Sequence, residues 1–241
     1  FSGSTLSDFM LGRPFFFEQQ NEQTAHEQQT QLAFYIQDEI KLTRRLNVNL
    51  GLRYELPFAA VDADGRAMVF RPWSNQRSTV FKNAPPGLLF QGDEGVGGSA
   101  RETYKKSFGP RVGIVYALTS DQKTVLRSGY GLMYNQTWLN LEAQYTNKQP
   151  WVNRISVRPP ASTGDPWATF PGGNPFPSPS GNPDFVFRNA QIWSMAPGYR
   201  DPAFHQWNMN IQREFGTYLF TLGYVGTPGT HLPFVTHYNY A

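Results

Sequence analysis

The stretch Leu46-Asn47-Val48-Asn49-Leu50-Gly51-Leu52-Arg53-Tyr54-Glu55 puts Leu, Val, Leu, Leu and Tyr on its even positions and Asn, Asn, Gly, Arg and Glu on its odd ones. Successive side chains of an extended strand point to opposite faces, so this sequence makes a strip with one apolar and one polar surface. A second run, Leu32–Lys41, precedes it across a turn of Leu42, Thr43, Arg44 and Arg45. Each run is about ten residues long, the length that crosses a bilayer at the tilt of a barrel strand. Length and alternation together predict an antiparallel, transmembrane β-barrel segment.

Two further hairpins repeat the pattern. Ser107–Leu118 is expected to pair with Thr124–Tyr134 across residues 119–123, and His205–Glu214 with Tyr218–Thr227 across Phe215, Gly216 and Thr217. In the second hairpin Phe108, Val112, Ile114 and Tyr116 oppose Ser107, Gly109, Arg111 and Gly113, and Leu126, Tyr130, Leu132 and Tyr134 oppose Arg127, Gly129 and Gly131. In the third, Trp207, Met209 and Ile211 oppose Gln206, Asn208, Asn210 and Gln212, while Tyr218, Phe220, Leu222 and Tyr224 oppose Thr221 and Gly223. The polar faces hold Asn, Gln, Gly and Arg rather than the Lys and Glu of a solvated surface. Tyr and Trp recur near the ends of the apolar faces, as in interfacial girdles.

The three turns are short, whereas the connections between hairpins, residues 56–106 and 135–204, are long and rich in Pro, Gly, Asn and Trp. Loops of that length are improbable inside a compact soluble domain. Short turns on one rim and long loops on the other are the asymmetry of outer-membrane barrels, whose short side is periplasmic. A net charge of +3 with scattered basic residues implies no nucleic-acid partner, and the absence of cysteine is compatible with an exported bacterial protein. No apolar run reaches the length of a membrane-spanning helix. The start at Phe1, with neither an initiator Met nor a signal region, leads to the expectation that the chain is cut from something longer.

The run Phe34-Tyr35-Ile36-Gln37-Asp38-Glu39-Ile40-Lys41-Leu42-Thr43-Arg44-Arg45, continued through Leu46 to Glu55, resembles a stretch of TonB-dependent receptor barrels. The likeness is to the large Oar-like receptors that carry a carboxypeptidase-regulatory-like domain. Phe108-Gly109-Pro110-Arg111-Val112-Gly113, Lys123–Gly131 and Gly223–Leu232 match in order and spacing, so the resemblance covers roughly Ser7 to Leu232. It implies a 22-stranded barrel with an N-terminal plug that imports a scarce or bulky solute, using energy passed through TonB. Six strands are too few to close a barrel, and neither plug nor TonB box is recognisable. Residues 1–241 are therefore expected to be part of one receptor barrel domain, with the plug absent. The expected partners are outer-membrane lipid, the TonB complex through the missing plug region, and an extracellular solute of unknown class; the expected location is the bacterial outer membrane.

Candidate chemistry is sparse, and no enzyme activity, metal or cofactor is expected. His26, His205, His231 and His237 lack metal-ligand spacing. Asp38 and Glu39 are strand neighbours that face opposite ways and cannot share a substrate. Asp93-Glu94 reads as a solvated loop, Gly95-Val96-Gly97-Gly98-Ser99 as a loop tip without the Lys-Ser/Thr of a phosphate cradle, and the Gln-rich stretch 18–31 as a solvated loop running into a strand. Trp138, Trp151, Trp167 and Trp193 are candidate ligand-binding aromatics that stack on sugars or apolar solutes, the alternative being that they pack the loop against itself. Arg53, Arg111, Arg127, Asn208 and Asn210 are candidate lumen-lining residues, the arginines offering a path to anions or pairing with acids of the plug. A soluble extracellular β module binding glycans through loop aromatics is the alternative function. It differs in one respect: it must cover Leu46, Val48, Leu50, Leu52, Trp207, Met209 and Phe220 with a second layer.

Overall fold

The computed structural model describes residues 2–22, 24–136, 148–178, 180–187 and 192–237. In chain order the elements are α1 (Thr5–Met10), β1 (Phe17–Gln20), β2 (Glu27–Gln28), β3 (Gln31–Lys41), β4 (Leu46–Pro57), β5 (Val61–Asp62), β6 (Met68–Phe70) and β7 (Leu88–Phe90). They continue as β8 (Ser107–Ala117), β9 (Thr124–Tyr134), β10 (Arg154–Val157), β11 (Ala203–Phe215), β12 (Tyr218–Gly226) and β13 (Gly229–Thr230). The chain divides into two compact units. Unit 1 comprises residues 1–28, 60–101 and 139–197, and unit 2 comprises residues 29–59, 102–138 and 198–241.

Unit 2 is an antiparallel meander ordered β12-β11-β9-β8-β4-β3, with β13 added to β11. Its six long strands are those expected from the alternation. The third turn is tighter than expected: Phe215 pairs with Tyr218, leaving Gly216 and Thr217 as a two-residue loop. Gly216 has φ 59° and Thr217 no positive φ, the pattern of a type II′ turn that suits the strand twist.

Register shows how the strands lean. The first hairpin closes just past the pair Lys41–Asn47, and that row continues through Val115, Arg127 and Asn210. The third hairpin runs on from Asn210 to Phe215, five positions further, four strand spacings away. With ~3.3 Å per residue and ~4.8 Å per strand, turns lying on one rim require a strand tilt of roughly 40°, inside the range of membrane barrels.

The same register sorts the side chains. On one face Leu50 meets Val112, Val112 meets Tyr130 and Tyr130 meets Trp207, while Tyr54 stacks on Phe108 with ring centroids 4.5 Å apart. No second layer covers this face among the described residues. Leu50, Leu52, Met209 and Phe220 are 43%, 42%, 48% and 60% exposed, and, prolines aside, the buried hydrophobic side chains of unit 2 are Ala59 and Ala203. A sheet with so large an uncovered apolar surface has no core of its own.

Unit 1 is built the opposite way. Met68, Phe81, Ala84, Leu88, Phe90 and Trp151 form a buried cluster, flanked by Phe70, Val80, Phe187 and Ile192. The long connections are thus not plain loops: β6 pairs with β7, β2 with β5 and β1 with β10, so the Gln-rich stretch supplies two short strands as well. The alternation test misses these strands because they are two to four residues long.

Charge placement on the two faces of β4 tests the membrane orientation. Leu52→Arg, whose cross-strand neighbours Ile36 and Pro110 carry no charge, is expected to destabilise the assembled protein by about 2–4 kcal/mol, the cost of a lipid-facing arginine near mid-bilayer, and Asn49→Arg by far less. The check is the heat-modifiable mobility of each variant in outer membranes; equal behaviour would contradict the face assignment. A backbone contact supplies a second test. A Cβ on Gly109 would sit 2.5 Å from the Leu132 carbonyl oxygen, so Gly109→Ala is expected to loosen the β8–β9 pairing by roughly 1–3 kcal/mol, read as a lowered temperature of mobility change.

Candidate functional site

The polar face of unit 2 is assembled by strand period and pairing. Arg53 on β4 faces Gly109 on β8, Arg111 lies between Gly51 and Gly131, Arg127 between Val115 and Asn210, and Asn208 faces Gly129. All five residues expected to line a lumen therefore share one surface. Glycines give them room: a Cβ on Gly113 would lie 3.4 Å from that of Asn49, one on Gly129 3.3 Å from the Asn208 amide, and one on Gly223 2.2 Å from the Asn210 oxygen. The long polar side chains lie down across glycines of the neighbouring strand.

The charges on this wall differ in their engagement. Arg53 donates from Nε to the carboxylate of Glu55, two residues on and on the same face. Arg127 Nε donates to Gln212 Oε1 at 3.2 Å. At the upper end of β4, β8 and β9 a cleft of about 230 Å³ opens, lined by Arg53, Glu55, Ser107, Arg111 and Tyr134 among others. Ser107 is fully buried and donates from Oγ to Asp201 Oδ2 at 3.4 Å. The sequence reading missed Glu55, although the Arg-x-Glu spacing places both groups on one face of a strand. Tyr134 keeps the strand parity of Tyr130 and Leu132 and borders the cleft at the end of β9.

The aromatic candidates lie in unit 1, except that Trp138 falls outside the described residues. Trp151 packs edge-on against Phe81 and Phe90, at 5.9 and 5.4 Å between centroids. Trp167 is 5% exposed, makes edge contacts with Phe17 and Phe170, and donates from Nε1 to Gln19 Oε1 at 3.2 Å. These two indoles spend their faces on packing, the second of the two readings given for the loop tryptophans. The physical reason is that a long connection must bury apolar area somewhere, and indoles supply the most. Trp193 is half-buried, with Lys148 Nζ 5.8 Å from its ring centroid. Burial, with a smaller effect from Arg154, holds the Lys148 ammonium below its ordinary pKa.

Asp93 also departs from expectation, being buried rather than solvated. Its Oδ1 accepts from the Thr79 N–H at 2.7 Å, the Thr79 hydroxyl at 2.8 Å and the Val80 N–H at 3.3 Å, and its Oδ2 from the Phe90 N–H at 2.9 Å. The carboxylate clamps residues 78–81, which carry Phe81 of the core, to the end of β7. Of the histidines, His26 Nδ1 lies 3.0 Å from Asp64 and His205 Nδ1 2.9 Å from the Tyr130 hydroxyl. Among the described residues no group of three or more His, Asp or Glu is placed to hold a metal ion.

Tilted antiparallel strands, a bare apolar face and a polar face of arginine, amide and glycine define an outer-membrane β-barrel protein. A family model described as an outer membrane beta barrel domain matches residues 1–241, and the chain belongs to that family. The protein is located in the bacterial outer membrane. No curated protein and no solved structure matches the chain.

The Asp93 clamp makes a pH prediction. Burial pushes its carboxyl up, but hydrogen bonds from Ser78, Phe90 and Thr79 outweigh this and hold it below the ordinary carboxylate range. A depressed pKa contributes stability that is present above the unfolded-state value, about 4, and is lost as pH falls through the folded one. Amide exchange protection at Thr79, Val80 and Phe90 is therefore expected to hold at neutral pH and to fall in acid below about pH 4. Asp93→Asn is expected to lower protection already at neutral pH and to flatten the acid dependence; an unchanged profile would contradict the clamp.

Proposed function

We propose that this outer-membrane barrel protein is part of a TonB-dependent receptor that binds an extracellular solute and imports it. The observation that carries the reading is the hairpin β3–β4. The run from Phe34 to Glu55, which resembles receptor barrels, folds as one hairpin with Phe34, Ile36, Leu50 and Leu52 on the bare apolar face and Gln37, Asn49 and Arg53 on the polar one. The short turns belong to the periplasmic rim and the long connections to the extracellular side, where a solute is first met. The role is binding and transport rather than catalysis, with outer-membrane lipid against the apolar face and TonB acting through a plug region. The alternative, a soluble glycan-binding module, needs a covered apolar face and displayed indoles. The exposure of Leu50 and Met209 and the burial of Trp151 and Trp167 count against it.

TonB coupling is tested by cross-linking in intact cells. The full-length protein is expected to give an adduct with TonB that disappears when the periplasmic domain of TonB is deleted. Failure to form the adduct, in cells where another receptor of this type is trapped, would reject the coupling and leave a barrel of different function.

A further inference from the structure

The cleft on the polar face combines a charge imbalance with an open approach. Arg53 is engaged by Glu55 and Arg127 by Gln212. Among the described residues Arg111 has neither an acid within ion-pair distance nor a hydrogen-bond acceptor. Nothing bulky stands beside it on the adjacent strands, because its cross-strand neighbours are Gly51 and Gly131. The stem of Arg111 already fills ordinary contact distance over both, its Cβ 3.6 Å from where a side chain on Gly51 would begin and its Cγ 3.7 Å from that on Gly131. The stem is thus supported along the wall, and the exposed Arg111 side chain lines the cleft.

We propose that this cleft is a carboxylate-binding subsite, with Arg111 as the anchoring fork and the Arg53–Glu55 pair as its flank; this rests on reading the polar face as the barrel lumen. A guanidinium presents parallel N–H donors that match the two oxygens of a carboxylate. Glu55 in the same cleft sets the charge class, since a dianion would place its second negative charge against that carboxylate. A planar monoanionic group fits and a phosphate dianion does not. The position suits capture, because Glu55 lies two residues before the end of β4, Ser107 begins β8 and Tyr134 ends β9, at the edge from which the long connections leave. The carboxylate comes from one of two sources, a passing solute or an acidic side chain of the polypeptide that occupies the lumen.

The test is arginine labelling by phenylglyoxal in outer membranes carrying the full-length protein, read by peptide mass spectrometry. If a solute supplies the carboxylate, Arg111 labels faster than Arg127 in untreated membranes, and saturating benzoate slows it about tenfold while inorganic phosphate does not. If the protein supplies it, Arg111 labels slowly until carbodiimide amidation of the carboxylates releases it. Fast labelling that benzoate leaves unchanged, suppression by phosphate equal to that by benzoate, or slow labelling that amidation does not release would each overturn the subsite. The underlying orientation is read separately in the same membranes. Asn49→Cys should react with a small polar maleimide, and Leu50→Cys, its thiol held protonated by hydrocarbon, should not. A reversed pattern would sink the lumen assignment whatever Arg111 does.

Discussion

Inside hydrocarbon no water is available to a peptide group, so each strand N–H and C=O must find its partner in a neighbouring strand. The ladder β3-β4-β8-β9-β11-β12 meets that demand on both sides of its four inner strands. Because the side-chain period of a strand is two, the same ladder fixes which residues touch lipid. A slip of one residue between β4 and β8 would carry Arg111 onto the row of Leu50 and Val112 onto that of Asn49, exchanging charge and hydrocarbon between faces. Register is therefore the quantity that the rest of unit 2 defends. The Tyr54–Phe108 stack holds one end, and the two-residue turn at Gly216-Thr217 the other.

The same logic explains glycines in strand interiors, where they cost backbone entropy and offer nothing to pack. Across the polar face three asparagines are matched with glycines on the next strand: Asn49 with Gly113, Asn208 with Gly129, Asn210 with Gly223. The pairing lets amides and guanidinium stems lie flat, so the wall is polar without being crowded. On the apolar face Trp207 does the same, its indole lying where a Cβ on Gly226 would come within 2.4 Å. An aromatic ring that covers a glycine across a strand pair restores the contact that the glycine omits.

The six long strands were legible because alternation over about ten residues has few competing explanations. The shared polar face of these arginines and asparagines followed from parity alone, needing no tertiary information. What the sequence did not reveal lies in unit 1. Strands of two to four residues, such as β5 and β6, are too short for periodicity to register, and the burial of Trp151 depends on Phe81 and Phe90, which are distant in the chain. Asp93 was misjudged for the same reason: beside Glu94 and a glycine run it looks solvated, and only the fold brings Thr79, Val80 and Phe90 to its oxygens. Long-range contact, not residue type, separates what was readable from what was not.

The chain is sorted for two solvents at once, and averages conceal it. Its mean hydropathy of −0.49 is that of a water-soluble protein, and among the described residues no helix is long and apolar enough to span a membrane. Neither fact bears on a strand, which needs apolar side chains on only one of its two faces. Unit 1 gathers an apolar cluster inward, with Met68, Leu88 and Phe90 wholly buried, while its N-terminal stretch leaves Phe9 and Met10 exposed; in unit 2 the apolar face is displayed, with Ile36 71% exposed and Phe220 60% exposed. Opposite treatments of the same residue types within one chain make sense only if the two units meet different surroundings. Hydrophobic burial drives the first unit, as in any water-soluble core. For the second, burial is completed by lipid, and the driving force is present only in the membrane.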